Sequence, residues 1–402
     1  LSLLRKLSLL VVDLQKMLTN KMGSPQQRAK KTFRAYDITP VVGSSASSSE
    51  MMHPDIMQVV RVIRETADTV SLVMSRQDKH TIQFVPGMFY TVIATIDGVE
   101  YRRAYSISSA STEAHTVTIT IKRVQDGLVS NWINDHVLEG TLLRVFGPSG
   151  TFVLLPDSTQ KRHILLIGGG SGITPLMSIC KSVLAIESES TIHLLYGNRS
   201  KEEAIFFDEF KRLQKQYSDR LTIRHVLETP AAGWKGGKGR LDRSTFAQEL
   251  DHLATLNIND STVYMCGPEP MMEGVRAELL SRGMLAKHIH QERFTPAPTH
   301  KNALSYAPQA LIIHVNGKTW KGQSKPSETL LESGLALSAD MQFSCTMGGC
   351  GRCRIKILQG DVEMDEPNCL TAEEHTARYA LSCITRPLSA VEFEVAPPNV
   401  TL

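Results

Sequence analysis

The rhythm of apolar and polar positions changes several times along this chain. Near the start, Leu3, Leu4, Leu7, Leu10, Val11, Leu14, Met17 and Leu18 recur at helical spacing, which predicts a short helix with one apolar face. A Ser-rich tract over residues 43–49 follows and reads as a flexible linker. From about residue 56 to 152 the pattern is that of β-strands. Residues 90–95 and 116–122 are strand-like, with turn signals such as Asp97-Gly98 between them. From about Arg162 short apolar runs alternate with helical stretches. Residues 164–167, 192–196, 222–226 and 263–266 each lead through a loop into a segment of helical character, the signature of a parallel α/β domain. Pro296, Pro298 and Pro308 mark a linker, and the remainder has the size of one small domain. The expected division is an extension at 1–54, a β-rich domain at 55–155, an α/β domain at 160–295, a linker at 296–308 and a final domain at 309–402.

Composition narrows the function classes. With 42% apolar and 21% charged residues the chain reads as soluble and globular. A formal charge of +3 gives no sign of a nucleic-acid binder. No stretch approaches the ~18 uncharged apolar residues of a membrane span. The charge is uneven, because residues 1–50 hold eight Lys/Arg against three Asp/Glu. Five of the seven cysteines fall between Cys345 and Cys383. An odd count crowded at one end argues against a disulfide framework and for a local metal site in a reducing, cytoplasmic compartment.

Cys345, Cys350, Cys353 and Cys383 form C-x4-C-x2-C with a distant fourth cysteine, the plant-type [2Fe–2S] spacing. Gly348, Gly349 and Gly351 let the loop approach closely and turn its amides toward the sulfurs. The competing reading is a zinc site, which more often takes two CxxC-like pairs. Cys369 lies off the spacing and reads as a bystander.

Three further segments carry cofactor chemistry. In Arg103-Ala104-Tyr105-Ser106 the Arg can neutralise a phosphate, the Tyr can stack on an aromatic ring and the Ser can hydrogen-bond a ring nitrogen. Alone the tetrapeptide is also compatible with an ordinary strand end. Around it lie Phe84-Val85-Pro86-Gly87-Met88-Phe89, Gly127-Leu128-Val129-Ser130-Asn131-Trp132 and Gly147-Pro148-Ser149-Gly150-Thr151-Phe152. The Gly127 segment reads as a helix start whose amides could hold a pyrophosphate. Gly168-Gly169-Gly170-Ser171-Gly172-Ile173-Thr174-Pro175 is a glycine-rich strand-to-helix turn of the same use, although Ile173 stands where a Rossmann fingerprint has its third Gly. Tyr264-Met265-Cys266-Gly267-Pro268 ends a later strand, and Glu292-Arg293-Phe294 ends the domain.

Taken together, residues 55 to 402 resemble the ferredoxin–NADP reductase superfamily with a C-terminal plant-type ferredoxin domain. The match lies in the R-x-Y-S, G-G-x-G-I-T-P and C-G-P motifs and in Cys345-Thr346-Met347-Gly348-Gly349-Cys350-Gly351-Arg352-Cys353 with Leu381-Ser382-Cys383. The domain order is similar to that of phenylacetyl-CoA oxygenase, ketosteroid hydroxylase and hybrid-cluster-protein reductases. The resemblance implies an antiparallel β-barrel flavin domain, an α/β parallel-sheet nicotinamide domain and an α+β β-grasp ferredoxin domain. It implies FAD held by Arg103, Tyr105, Ser106, Gly127, Val129, Ser130 and Phe294, and NAD(P)H held by Gly170, Gly172, Thr174, Gly267 and Pro268. Ser106, Cys266 and Glu292 fall beside the hydride path, and Cys345, Cys350, Cys353 and Cys383 become the cluster ligands. Nicotinamide delivers two electrons together, a cluster takes one, and a flavin does both. The expected partner is an oxygenase, hydroxylase or desaturase. Alternatives are a hybrid-cluster protein as acceptor, or a redox sensor.

Two readings rest on charge. Arg199 and Lys201 follow the second α/β strand, with no acid before Glu202, which favours NADPH over NADH. The stripe in residues 1–35, flanked by Arg5, Lys6, Lys16, Lys21, Arg28, Lys30, Lys31 and Arg34, reads either as a surface helix packed on its own fold or as a peripheral contact with the inner membrane face or a membrane-bound partner. A secretory signal fits poorly, since Asp13 interrupts the apolar stretch and no small-residue cleavage site follows.

Overall fold

The computed structural model describes residues 54–252, 258–294, 307–326, 328–343, 346, 348–349, 351–365, 368–370 and 372–396. The amphipathic segment at 1–35 and most of the linker at 296–308 lie outside these residues.

The first sheet has six strands: β1 (Asp55–Thr66), β2 (Thr69–Arg76), β3 (Phe89–Ile96), β4 (Val99–Ser106), β5 (Val117–Lys122) and β6 (Leu142–Ser149), in the order β4-β3-β6-β1-β2-β5. The pairs β1/β2, β1/β6, β2/β5 and β3/β6 are antiparallel. The β3–β4 turn holds Asp97 and Gly98 at φ 52° and 75°, the left-handed pair that a two-residue hairpin turn needs. Helix α1 (Leu128–His136) follows β5, and its Asn134 Nδ2 donates to Ile121 O at 3.3 Å.

The second sheet is parallel throughout. It comprises β7 (His163–Gly169), β8 (Thr191–Asn198), β9 (Leu221–Leu227), β10 (Gly237–Lys238), β11 (Ser261–Cys266) and β12 (Ile289–Glu292), in the order β10-β9-β8-β7-β11-β12. Between them run α2 (Ile173–Ile186), α3 (Phe207–Gln216), α4 (Arg243–Asp251) and α5 (Glu269–Ser281). Both faces are covered, which is why β7 reads as an unbroken apolar run. Ile164 and Leu166 join the core on one face; Leu165 and Ile167 join the core on the other. Phe152 and Leu154, from the end of the β-rich half, belong to the first of these cores. From β7 the chain moves outward to β10, then returns to the other side with β11. The β7–β11 junction is therefore a topological switch point, where such sheets bind ligands beyond the carboxyl ends of their strands.

The third sheet contains β13 (Ala310–Val315), β14 (Lys318–Gln323), β15 (Arg354–Gln359), β17 (Tyr379–Leu381) and β19 (Val391–Val395), in the order β14-β13-β19-β15-β17. A ribbon pairs β16 (Val362–Met364) with β18 (Thr385–Pro387). Helix α6 (Leu330–Ala336) opens on a capping box: Thr329 Oγ1 accepts from Glu332 N at 3.2 Å, and Glu332 Oε2 accepts from Thr329 N at 2.8 Å. It buries Leu330 and Leu331 with Ile313, Ile355 and Phe393. A short helix, α7 (Ala372–Thr376), precedes β17.

Candidate functional site

Register assembles the centre of the site. Gly168, Cys266 and Glu292 are neighbours across β7, β11 and β12, at the carboxyl ends beside the switch point. The glycine-rich turn packs backbone to backbone on the Cys266-Gly267 segment. A Cβ on Gly172 would stand 2.1 Å from Cys266 O, and one on Gly267 would stand 3.0 Å from the Gly169 backbone. Gly172 is also the N-cap of α2 and offers no side-chain cap; Ile173 N donates within the turn to Gly170 O and Ser171 O, and Pro175 brings no N–H to the first helical turn. Thr174 Oγ1 donates to Ser171 O at 3.1 Å, and Tyr196 Oη donates to Gly170 O at 3.0 Å, bracing the turn from two sides. Pro268 caps the start of α5.

The first domain contributes Ser106, 4% exposed at the end of β4, whose hydroxyl hydrogen-bonds the Glu292 carboxylate. Glu292 as a residue is only half-buried, but its Oε2 is shut off from solvent and has no partner. The ionisation penalty follows the carboxylate oxygens rather than the whole side chain. Burial therefore lifts its pKa to about 8, with the Ser106 bond pulling modestly the other way. The Cys266 thiol, 1% exposed, is pushed well above the usual thiol range by burial and then by Glu292. At neutral pH this places an uncharged carboxylic acid beside an uncharged thiol.

Three motif segments of the first domain, at 84–89, 103–106 and 147–152, converge although they lie far apart in sequence. A Cβ on Gly87, at φ 96°, would stand 2.0 Å from Phe152 O. Ile107 N donates to Met88 O at 2.9 Å, and Phe89 pairs with Ser149. Burial raises the Tyr105 phenol pKa, and Arg103 Nη1 donates to Arg102 O at 2.7 Å. Gly127 caps α1 without a side-chain bond, and a Cβ there would meet Val124 Cβ at 2.8 Å and Ser130 Oγ at 2.9 Å. Val129 and Ser130 are buried, and Ser130 Oγ accepts from Val124 N at 3.1 Å, which fixes the turn into the helix. Phe294 is 40% exposed just beyond β12. The open α1 start, the orphaned Glu292 oxygen and the exposed Phe294 ring fit a bound flavin dinucleotide.

In the third domain Cys353 and Cys383 are 3% and 8% exposed, with Sγ atoms 3.2 Å apart. That is beyond the ~2.05 Å of a disulfide, so the two are not joined by one. Cys345 and Cys350 lie outside the described residues. Thr346, Gly348 and Gly351 take φ of 58°, 72° and 69°, left-handed values that favour glycine at the last two. Arg354 Nε and Ser382 Oγ, each adjacent to one of the two cysteines, are buried without hydrogen-bond partners. Two converging thiols flanked by spare donors fit a cluster whose sulfurs accept hydrogen bonds. Cys369, set aside by spacing, borders this loop: its N donates to Gly348 O at 3.0 Å, and its Sγ lies 3.7 Å from where a Gly351 Cβ would be.

Several contacts escape sequence reading. Arg199 is 77% exposed but has an acid at hand, Glu203, whose Oε2 is 3.9 Å from Arg199 Nη1 and 3.6 Å from Lys122 Nζ. Their i,i+4 spacing was the available signal. Lys201 Nζ sits over the Phe207 ring at 4.9 Å. Tyr264 stacks on His290 at 4.6 Å and donates from its hydroxyl to Val153 O at 3.2 Å, linking β11 to the chain after β6.

Comparison with known proteins accounts for this arrangement. Residues 57–154 match the oxidoreductase FAD-binding domain, 166–277 the oxidoreductase NAD-binding domain, and 313–388 the 2Fe-2S iron-sulfur cluster binding domain. The ferredoxin reductase component of 3-ketosteroid-9-alpha-monooxygenase from Rhodococcus rhodochrous is 33% identical over 83% of this chain and 94% of its own length. The glycine betaine monooxygenase reductase from Chromohalobacter salexigens is 30% identical over 84% of this chain and 94% of its own length. Phthalate dioxygenase reductase shares the fold, with a TM-score of 0.57 at 22% identity over 85% of this chain and 97% of that one. Among the described residues no helix is long and apolar enough to cross a membrane. The chain thus belongs to the family of oxidoreductases that join FAD-binding, NAD-binding and [2Fe–2S] domains and include the 3-ketosteroid-9-alpha-monooxygenase ferredoxin reductase components.

Proposed function

We propose that this protein is the reductase component of an oxygenase, hydroxylase or desaturase system and that NADPH is its electron donor. The observation that carries the reading is the convergence of Ser106, Cys266 and Glu292 at the switch point. Flavin and cluster together supply the conversion of one hydride into two single-electron transfers. The chain's own residues bind, orient and exclude water. The α1 amides, with Arg103, are assigned the phosphates of FAD, and the glycine-rich turn before α2 those of NADPH. Tyr105 and Phe294 are assigned the aromatic surfaces of the flavin. Buried Cys266 and uncharged Glu292 keep charge and water from the reacting face, and Ser106 orients the Glu292 carboxyl. Gly170, Gly172, Gly267 and Pro268 let backbone approach the nicotinamide closely, and Thr174 holds the turn. Cys345, Cys350, Cys353 and Cys383 are assigned as the four cluster ligands.

In this reading the first sheet closes as a barrel over about 55–155, the α/β domain spans about 160–295, and the third is a β-grasp domain over about 309–402. The NADPH preference rests on Arg199 and Lys201 at the end of β8. Residues 1–35 are read as docking either on their own fold or at a lipid surface. The test of the main reading is NADPH-dependent reduction of cytochrome c by the purified protein. Absence of turnover in a protein that carries full flavin and cluster absorbance would refute it.

A further inference from the structure

One side chain outside the hydride site touches two domains at once. Arg102 lies on β4 immediately before the Arg103-to-Ser106 segment. Its guanidinium carbon is 5.2 Å from the centre of the Phe146 ring and 4.6 Å from the centre of the Phe343 ring. Phe146 belongs to β6 of the same sheet. Phe343 belongs to the third domain, where it packs on the core and stands two positions before Cys345. A guanidinium is planar and delocalised, so it can lie on two rings while its N–H edge stays hydrogen-bonded; an ammonium cannot do this. One end of this contact is continuous with the flavin segment, and the other with the iron–sulfur loop.

We propose that Arg102, engaging Phe146 and Phe343, is a positioning residue that holds the iron–sulfur loop against the flavin sheet and thereby sets the rate of electron transfer between them. The inference rests on the reductase reading above. The overall reaction balances as one NADPH oxidised to NADP+ and a proton, with two ferricytochrome c molecules each reduced by one electron. Two ferricyanide ions, each a small one-electron acceptor, can take the same two electrons without the cluster.

The test uses the full-length holoprotein as wild type, Arg102→Ala, Phe343→Leu, Phe343→Tyr and the Arg102→Ala/Phe343→Leu double variant. Each is measured for ferricyanide turnover, for cytochrome c turnover and by small-angle X-ray scattering. Arg102→Ala should keep ferricyanide turnover and the KM for NADPH, lose roughly tenfold or more in kcat for cytochrome c, and increase in maximum dimension as the third domain swings free. Phe343→Leu should do the same, Phe343→Tyr should retain wild-type behaviour, and the double variant should be no slower than either single one, because the two residues make one contact. Unchanged cytochrome c kcat and scattering in Arg102→Ala would overturn the proposal. An equal loss with both acceptors would also overturn it, by showing that Arg102 acts on the flavin. Failure of the wild type with ferricyanide would instead refute the reductase reading itself.

Discussion

Replacing Glu292 with Gln tests the electrostatics of the site most directly. The carboxylate oxygen that lacks a partner is closed to solvent, and burial moves the pKa from 4.5 to about 8 in the folded protein. The sign follows from linkage. A carboxyl whose folded pKa is raised favours folding most below its unfolded pKa, and that advantage is lost as the pH rises through the folded value. Between 4.5 and about 8 the unfolded chain releases a proton that the folded chain keeps. At 1.36 kcal/mol per pKa unit, the penalty carried by the wild type is on the order of 3 kcal/mol at pH 7 and levels off near 5 kcal/mol above pH 8. Glutamine keeps the shape and does not titrate. Urea unfolding of both proteins should therefore give a stability difference that is small at about pH 5 and grows in favour of Glu292→Gln by roughly 1.4 kcal/mol per pH unit toward pH 8. Reading the difference removes contributions from the rest of the chain. Ser106→Ala should raise the Glu292 pKa further, because the Ser106 hydrogen bond favours the ionised form. A stability difference that stays flat across this range would show that Glu292 is ionised and solvated in the folded protein, and would refute the argument.

Other variants probe the remaining assignments. Cys383→Ser should remove the cluster absorbance and cytochrome c reduction while NADPH still bleaches the flavin; a full cluster in that variant would discard Cys383 as a ligand. Arg199→Ala should raise the KM for NADPH about tenfold, the worth of one charge-assisted hydrogen bond, and leave that for NADH nearly unchanged. Equal effects on both coenzymes would end the NADPH assignment. Full-length protein and a chain starting near Pro54 can be compared by co-sedimentation with anionic vesicles at low salt. Lipid docking predicts that only the full-length chain sediments, whereas packing on the fold predicts that neither does and that the shortened chain melts earlier.

What the sequence determined by itself was local. The Asp97-Gly98 turn, the apolar runs of β7, β8, β9 and β11, the helix start after Gly127 and the glycine-rich turn at 168–172 all appear where short-range spacing predicts them, because each needs only neighbouring residues to agree. The cofactor classes were legible for the same reason, since cluster and phosphate motifs are short and chemically constrained. Tertiary structure decided the rest through register and burial. Residues as far apart in sequence as Ser106, Gly168, Cys266 and Glu292 meet because a parallel sheet aligns strand ends and β4 is brought to that edge. Nothing in the string Glu292-Arg293-Phe294 foretells a carboxyl that stays protonated at neutral pH, because the shift comes from groups that fold around it. Cys369 likewise reads only as a cysteine off the ligand spacing, and the fold decides that it borders the cluster loop, through the Cys369-to-Gly348 hydrogen bond. Arg102 reads as one more basic residue beside a motif, and only packing sets it against Phe146 and Phe343. Spacing constrains what a segment can bind, whereas charge state and domain contacts depend on neighbours that the chain supplies from far away.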